Sequence, residues 1–357
     1  MTVTRHALQR RQRRLKAVYR FGVGAPRSHQ DRATDQDTDH DTDHDTDHEA
    51  DKDTGVTGPA RRGWQHRRNP CPAQKGAAMT EPVHLLIDYP LPGVCRLTLN
   101  RPEKRNALNN TLRAEIFATL EHNDRDPDLR LTVIRGAGPA FCSGYDLSAD
   151  NTVGQPYHSA AGLGQWSRHV VDGWFRIWDL AKPVIAQVHG YCLAGGSELA
   201  TACDLVYVAD DAQIGYPPVR LMSPPDMQFH PWTMGLRQAM EAMLTGDSMS
   251  GREAAERGWA NRAWPADTLE AEVLKVAERV AKLPPELAAI NKRSVHRAME
   301  IMGLRAAIRA GTELQALAFQ TAASKAYMSR FRRDGQTVSG LLSERDAAFG
   351  DYRERGE

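Results

Sequence analysis

The chain has 357 residues, 41% of them apolar and 25% charged, enough for a sizeable core, and 46 Lys plus Arg stand against 45 Asp plus Glu. That balance gives no reason to expect nucleic acid or an anionic membrane as partner, and no apolar run approaches the roughly 20 residues of a membrane span. Cys71, Cys95, Cys142, Cys192 and Cys203 are odd in number and lack CxxC spacing, which speaks against a disulfide framework or a zinc site and for a reducing cytoplasm.

Residues 1–32 carry nine Arg or Lys against one acidic residue, and 35–53 repeat Asp-Thr-Asp-His with almost no apolar content. Neither block can bury a core, so residues 1–78 are expected to be a disordered, low-complexity extension. The basic block could also be a nucleic-acid arm or a transit segment, and His40, His44 and His48 a metal tract, but a dispensable extension is the simpler reading. Met79 would itself make a sensible initiator.

Apolar alternation begins after Met79. His84 to Tyr89 and Val94 to Leu99 read as two strands joined by a turn at Pro90 to Gly93, and Asn110 as the cap of a helix running to about His122. Leu131 to Arg135 reads as a buried strand, and about Leu163 to Leu180 as a helix with Trp166, Val170, Trp174 and Trp178 on one stripe. Pro183 to His189 is the next strand, Gly195 to Cys203 a helix and Leu205 to Ala209 a strand. Past Gly235 the pattern is helical throughout, over Arg237 to Leu244, Gly251 to Arg257, Leu269 to Leu283 and Glu286 to Met302, with no strand returning. This predicts an α/β core over 79–265 and a helical module over 266–357.

Three loops carry the chemistry. Asn100-Arg101-Pro102-Glu103-Lys104-Arg105-Asn106-Ala107-Leu108 leaves the second strand, Phe141-Cys142-Ser143-Gly144-Tyr145-Asp146-Leu147 the third, and Gly190-Tyr191-Cys192-Leu193-Ala194-Gly195-Gly196-Ser197-Glu198-Leu199 the fourth. In that order they resemble the enoyl-CoA hydratase/isomerase (crotonase) superfamily, over essentially all of residues 80–350. The resemblance implies a spiral of ββα units, C-terminal helices that pack in trimers or dimers of trimers, and a coenzyme A thioester as substrate with no separate cofactor.

The residues fit that chemistry when taken singly. A thioester enolate needs donors already aimed at its oxygen, and one such donor is worth about 3 kcal/mol. Gly144 allows the tight turn that points an amide outward, and Gly195 and Gly196 leave no side chain between backbone and ligand. By resemblance the donors are the amides of Tyr145 and Gly195, the second at a helix N-terminus whose dipole favours negative charge. Glu198 matches the family's first catalytic glutamate, although a glutamate in a first helical turn is often only a surface residue. The resemblance also assigns Lys104, Arg105, Asn106, Ala107, Ser143 and Asp146 to coenzyme A contacts.

One position departs from the pattern. The family's second glutamate would fall at 218, within Gly215-Tyr216-Pro217-Pro218-Val219, and Pro218 has no proton to move. Asp226, in Ser223-Pro224-Pro225-Asp226, stands where dienoyl-CoA isomerases and aromatic acyl-CoA dehalogenases of the family place an aspartate, and is the candidate second acid or base; a turn residue after two prolines is the plainer account. His230 is a weaker candidate. The Trp166, Trp174 and Trp178 stripe could shape a broad acyl pocket or simply be core. No GxSxG elbow, GxxxxGK[ST] loop or GxGxxG after a strand is present, which removes serine hydrolases, NTPases and dehydrogenases.

The expectation is therefore an acyl-CoA lyase or isomerase hydrating or dehydrating an unsaturated acyl-CoA. The alternatives are an enoyl- or dienoyl-CoA isomerase using Glu198 and Asp226, a hydrolase or dehalogenase with Asp226 as nucleophile, and a CoA-binding paralogue without catalysis.

Overall fold

The computed structural model describes residues 82–331 and 335–350, so the expected extension over 1–78 lies outside the described residues. Strands β1 (Leu85–Leu91) and β2 (Val94–Leu99) form the expected antiparallel hairpin, with Leu85 opposite Leu99. Gly93 makes the turn at φ +76°, a left-handed value that costs glycine nothing. Next to β2 run β3 (Leu131–Gly136), β5 (Val184–Val188), β7 (Leu205–Ala209) and β10 (Arg262–Trp264), all parallel. The six strands lie in the order β1-β2-β3-β5-β7-β10. Every residue of β5 is buried, as a central parallel strand covered on both faces requires.

A second sheet is built of very short strands: β4 (Ala140–Cys142), β6 (Tyr191–Leu193), β8 (Gln213–Gly215) and β9 (Met249–Ser250), in that order. Each central strand of the first sheet leads into one of the second: β3 into β4, β5 into β6, β7 into β8. Helices α1 (Asn110–Arg125), α2 (Gln165–Asp179) and α3 (Gly195–Ala202) follow β2, β4 and β6. This is the α/β repeat the sequence implies, and it brings the ends of β4 and β6 side by side.

After β8 come α4 (His230–Met234), α5 (Leu236–Thr245), α6 (Gly251–Glu256), α7 (Leu269–Ala281), α8 (Pro285–Ile301), α9 (Leu304–Ala318), α10 (Ala322–Arg330) and α11 (Val338–Phe349). Leu269, Val273 and Ala277, on one face of α7, are buried as that helix crosses the large sheet. Helix α9 packs on α2.

Two expectations fail. The stretch past Gly235 is not wholly helical: β9 pairs with β8, and β10 adds to the edge of the large sheet with Arg262 opposite Tyr207. Strands of two or three residues hold too little alternation to be read from a sequence. The cap of α1 is Asn109, not Asn110: Asn109 is extended and its side chain accepts from the Leu112 amide at 2.9 Å. Asn110 lies inside the helix, where its amide nitrogen donates to the carbonyls of Asn151 and Val153 at 2.9 and 2.8 Å and ties down that loop.

Candidate active site

The bends after β4 and β6 meet. Gly144 has φ +107°, and a Cβ built on it would stand 2.8 Å from the Ala194 Cβ and 3.3 Å from the Gly195 nitrogen. Tyr145 bridges Leu108 through neighbouring groups: Leu108 donates to the Gly144 carbonyl at 2.7 Å, and Asp146 to the Leu108 carbonyl at 2.9 Å. That pattern turns the Tyr145 amide to the other side, where it has no acceptor among the described residues.

On the second bend, Ala194 sits at φ 51°, ψ −125°, a conformation that side-chain-bearing residues rarely adopt. It is held there by its amide, bonded to the Gly215 carbonyl at 2.9 Å, and by its own carbonyl, which accepts from Ser197 and Glu198 at 2.9 and 3.2 Å. The Gly195 amide that follows opens α3 and also lacks an acceptor among the described residues. Gly196 must be glycine, because a Cβ there would lie 2.3 Å from the Cys142 carbonyl oxygen. Two unpaired amides on adjacent bends thus flank the start of α3.

Glu198, one turn into α3, is 2% exposed, and both of its oxygens are held. Oε2 accepts from the Tyr145 hydroxyl at 2.8 Å, and Oε1 accepts from the Met227 amide at 3.2 Å. The same hydroxyl accepts from Trp174 Nε1 at 3.0 Å. Asp226, beside Met227, is 1% exposed, and its Oδ1 has no hydrogen-bond partner among the described residues. Burial raises both carboxyls; donors from Tyr145 and Met227 moderate Glu198, whereas the Glu198 charge pushes Asp226 further, well above the usual carboxylate range. The two influence each other's titration, with Glu198 the better holder of charge and Asp226 of hydrogen.

Several residues here were not singled out in the sequence. Arg113, on α1, is fully buried; it donates to Asn110 Oδ1 at 3.0 Å and to the Tyr157 hydroxyl at 3.4 Å, and lies 5.4 Å from the Trp166 ring centre. His169 stacks on Tyr157 at 4.1 Å with Nδ1 2.9 Å from Ser159 Oγ, and burial with the nearby Arg113 and Arg176 charges lowers it to about 4. Ser167 bonds Gln315 of α9 and also faces Asp226. The Tyr216 hydroxyl interacts with Glu198 and the Asp226 amide, and burial raises it well above its ordinary value. No spacing rule marks these residues.

Trp166 meets the Tyr145 ring edge-on at 5.2 Å and Trp174 donates to Tyr145, so these two border the site, whereas Trp178 stacks on His296 at 3.7 Å away from it. His230 is buried with Nδ1 2.6 Å from Gln228 Oε1, and burial lowers it to about 4; no bond joins it to either carboxylate.

The six residues assigned to coenzyme A split in two. Lys104 and Arg105 are exposed, Arg105 lying 5.1 Å from the Tyr191 ring centre. Ser143 is half-buried, its amide donating to the Arg105 carbonyl at 3.0 Å, and Ala107 is buried with its carbonyl accepting from Arg101 at 2.5 Å. Asn106 and Asp146 are consumed inside the protein. Asn106, at φ 56°, takes the Arg101 amide at 2.9 Å and gives to the Ala137 and Ala140 carbonyls at 2.9 and 2.7 Å. Asp146 pairs with Arg101 at 2.8 Å and takes the Ser148 amide and hydroxyl at 3.0 and 2.6 Å. Burial raises the Asp146 carboxyl, but those donors bring it below its ordinary value. These two side chains hold the loops together. Among the described residues no group of three or more His, Cys, Asp or Glu is placed to hold a metal.

Comparison with known proteins places the chain in a family. The family model for enoyl-CoA hydratase/isomerase matches residues 91–338. The chain is 31% identical to the mitochondrial enoyl-CoA hydratase of Pongo abelii, over 71% of this chain and 83% of that protein. It is also 31% identical to the mevalonyl-coenzyme A hydratase of Aspergillus fumigatus, over 62% and 82% respectively. Among solved structures, an enoyl-CoA hydratase/isomerase from Xanthobacter autotrophicus Py2 superposes with a TM-score of 0.68 at 35% identity, covering 76% of this chain and all of that one, 100%.

Proposed function

The chain belongs to the enoyl-CoA hydratase/isomerase family, and from that premise we propose that it adds water across the double bond of an enoyl-CoA thioester using Glu198 and Asp226. The thioester oxygen lies between the amides of Tyr145 and Gly195, which have no other acceptor among the described residues and stand on touching bends. Negative charge developing there meets two fixed donors and the N-terminal end of α3. Glu198, ionised, takes a proton from water as its oxygen bonds to the β-carbon. Asp226, held protonated by burial and by the Glu198 charge, gives a proton to the α-carbon. The sum is one water added; the two carboxyls exchange protonation states and are reset by proton exchange with water once the product has left. Tyr145 and Tyr216 hold the carboxylates in place. Exposed Lys104 and Arg105 stand ready for the coenzyme A phosphates.

The observation that carries this is Glu198, buried and gripped at both oxygens beside a second buried carboxyl. Pro218 favours a second reading, double-bond migration, in which the same pair moves a proton between carbons without water. One experiment separates them. The full chain is incubated with a series of enoyl-CoAs and the products are weighed by mass spectrometry: gain of water supports hydration, an unchanged mass with a shifted double bond supports isomerisation. Turnover that survives in both Glu198→Gln and Asp226→Asn would end the proposal.

A further inference from the structure

The tryptophans spaced along α2 differ in what their ring nitrogens reach. Trp178 gives its Nε1–H to Glu300 of α8 at 3.3 Å, away from the site. Trp174 is fully buried, and its Nε1–H goes to the Tyr145 hydroxyl at 3.0 Å. Phe117 of α1 lies against the indole, ring centres 5.6 Å apart and planes tilted by 56°, so packing fixes where this donor points.

Chemistry fixes the direction of the bonds that follow. An indole N–H can only donate, and a phenol has one hydrogen to give. The Tyr145 hydroxyl could in principle face Glu198 with its hydrogen or with its lone pair. Trp174 closes the second orientation, because the hydrogen would then be turned against the indole N–H. The hydrogen therefore goes to Glu198 Oε2, 2.8 Å away, and the hydroxyl has no third partner among the described residues. A proton on Oε2 would meet that hydrogen head on and strand a buried donor. Oε1 already accepts the Met227 amide at 3.2 Å. Both oxygens thus face donors, an arrangement that favours the carboxylate over the acid.

We propose that Trp174 is a positioning residue of the reaction: its indole N–H turns the Tyr145 hydroxyl toward Glu198 and so keeps Glu198 an ionised base. The inference rests on the hydration reading above and deepens it. Burial raises the Glu198 carboxyl; of the donors that offset it, Tyr145 counts most and Trp174 least, so the indole acts chiefly through the phenol. The other titratable groups facing Glu198 are Tyr216 and Asp226. Burial holds both phenols neutral, Asp226 is raised further than Glu198, and no Arg, Lys or His among the described residues bonds Glu198. Loss of activity as pH falls therefore reports Glu198.

Two replacements remove the N–H: Trp174→Phe, and 3-benzothienylalanine at the same position, which keeps the bicyclic ring. The full chain is assayed on the best substrate of the enoyl-CoA series, with kcat/KM followed against pH. Each replacement should move the acid limb to higher pH and lower kcat/KM on that limb by about two- to tenfold, the usual worth of one neutral buried hydrogen bond. In a Tyr145→Phe background the same replacements should cost nothing further, because the hydroxyl they orient is gone. An acid limb that stays in place, or an equal loss in both backgrounds, would overturn the assignment and leave Trp174 a core residue. The benzothienyl form keeps the test decisive if Trp174→Phe fails to fold. A wild-type chain that turns over no enoyl-CoA, or Glu198→Gln at full rate, would instead remove the parent function and this inference with it.

Discussion

Tyr145→Phe is the sharpest probe of the carboxylate pair, because it deletes one oxygen and little else. That oxygen gives a hydrogen bond of 2.8 Å to Glu198 and takes one of 3.0 Å from Trp174. Removing a donor from a buried charged group costs about 1.5–3 kcal/mol. That loss falls on the charged form alone, so the Glu198 carboxyl, already raised by burial, should rise further. Glu198 must be ionised to act as base, so activity is lost as pH falls through its pKa, and a higher pKa moves that loss to higher pH. The assay is the pH dependence of kcat/KM for hydration, followed by loss of enoyl thioester absorbance. The acid limb should shift to higher pH while activity on the alkaline side of that limb falls less. An acid limb that stays in place, or moves to lower pH, would show that the hydroxyl does not support the charge on Glu198, and the division of roles between Glu198 and Asp226 would fail.

Gly195→Ala would put a Cβ 2.6 Å from the Tyr145 ring, so the ring must shift and release Glu198; turnover should fall by about a hundredfold or more with helix content unchanged by circular dichroism. Asp226 and Glu198 are both raised in the folded state, so the stability tied to them is present below the ordinary carboxylate range and is lost as pH rises through the folded values. Urea midpoints should accordingly decline between mildly acidic and neutral pH, and Asp226→Asn should flatten the decline; an unchanged slope in the variant would refute the assignment. Arg101→Met leaves Asp146 buried without its partner and should cost about 3–5 kcal/mol by urea titration, with a higher KM for the thioester as the first two loops loosen.

The parts legible in the sequence were those with a local cause. The β1–β2 hairpin, the buried run of β5 and the amphipathic α2 each follow from a short-range apolar period, and all three appear near their expected bounds. The second sheet escaped, because β4, β6 and β9 are only three, three and two residues long and owe their form to neighbours in space. Gly195 and Glu198 were named through the family resemblance of the three loops, and the structure requires glycine at the left-handed Gly144 and the crowded Gly195. Arg113, Tyr157, His169 and Tyr216 could not: they come from separate elements, and a buried arginine on a helix looks in sequence like any solvated one. Asn106 and Asp146 show the converse. Their motif was visible, but their side chains bind the protein's own loops.

Pro218 accounts for where the second carboxylate comes from. Pro217 and Pro218 open a single 3-10 turn, Pro217–Arg220, with φ already set for it. The Pro218 carbonyl then accepts from the amides of Leu221, Met222 and Ser223 at 3.3, 2.8 and 3.1 Å, folding the chain back on itself. The chain continues through Pro224 and Pro225, which donate no amide and narrow the paths available, and delivers Asp226 and the Met227 amide to Glu198. A glutamate at 218 would carry its carboxylate on the turn; a proline there carries none, but stiffens the segment that brings another from eight residues on. The proposed acid thus sits on a loop whose shape is set by prolines and whose tip is bonded to Glu198 through Met227. Glu198 and Asp226 are therefore not two independent residues that happen to lie close. Displacing the loop removes a donor from one and the other altogether, so substitutions at Pro218 and Asp226 should be non-additive when combined with changes at Glu198.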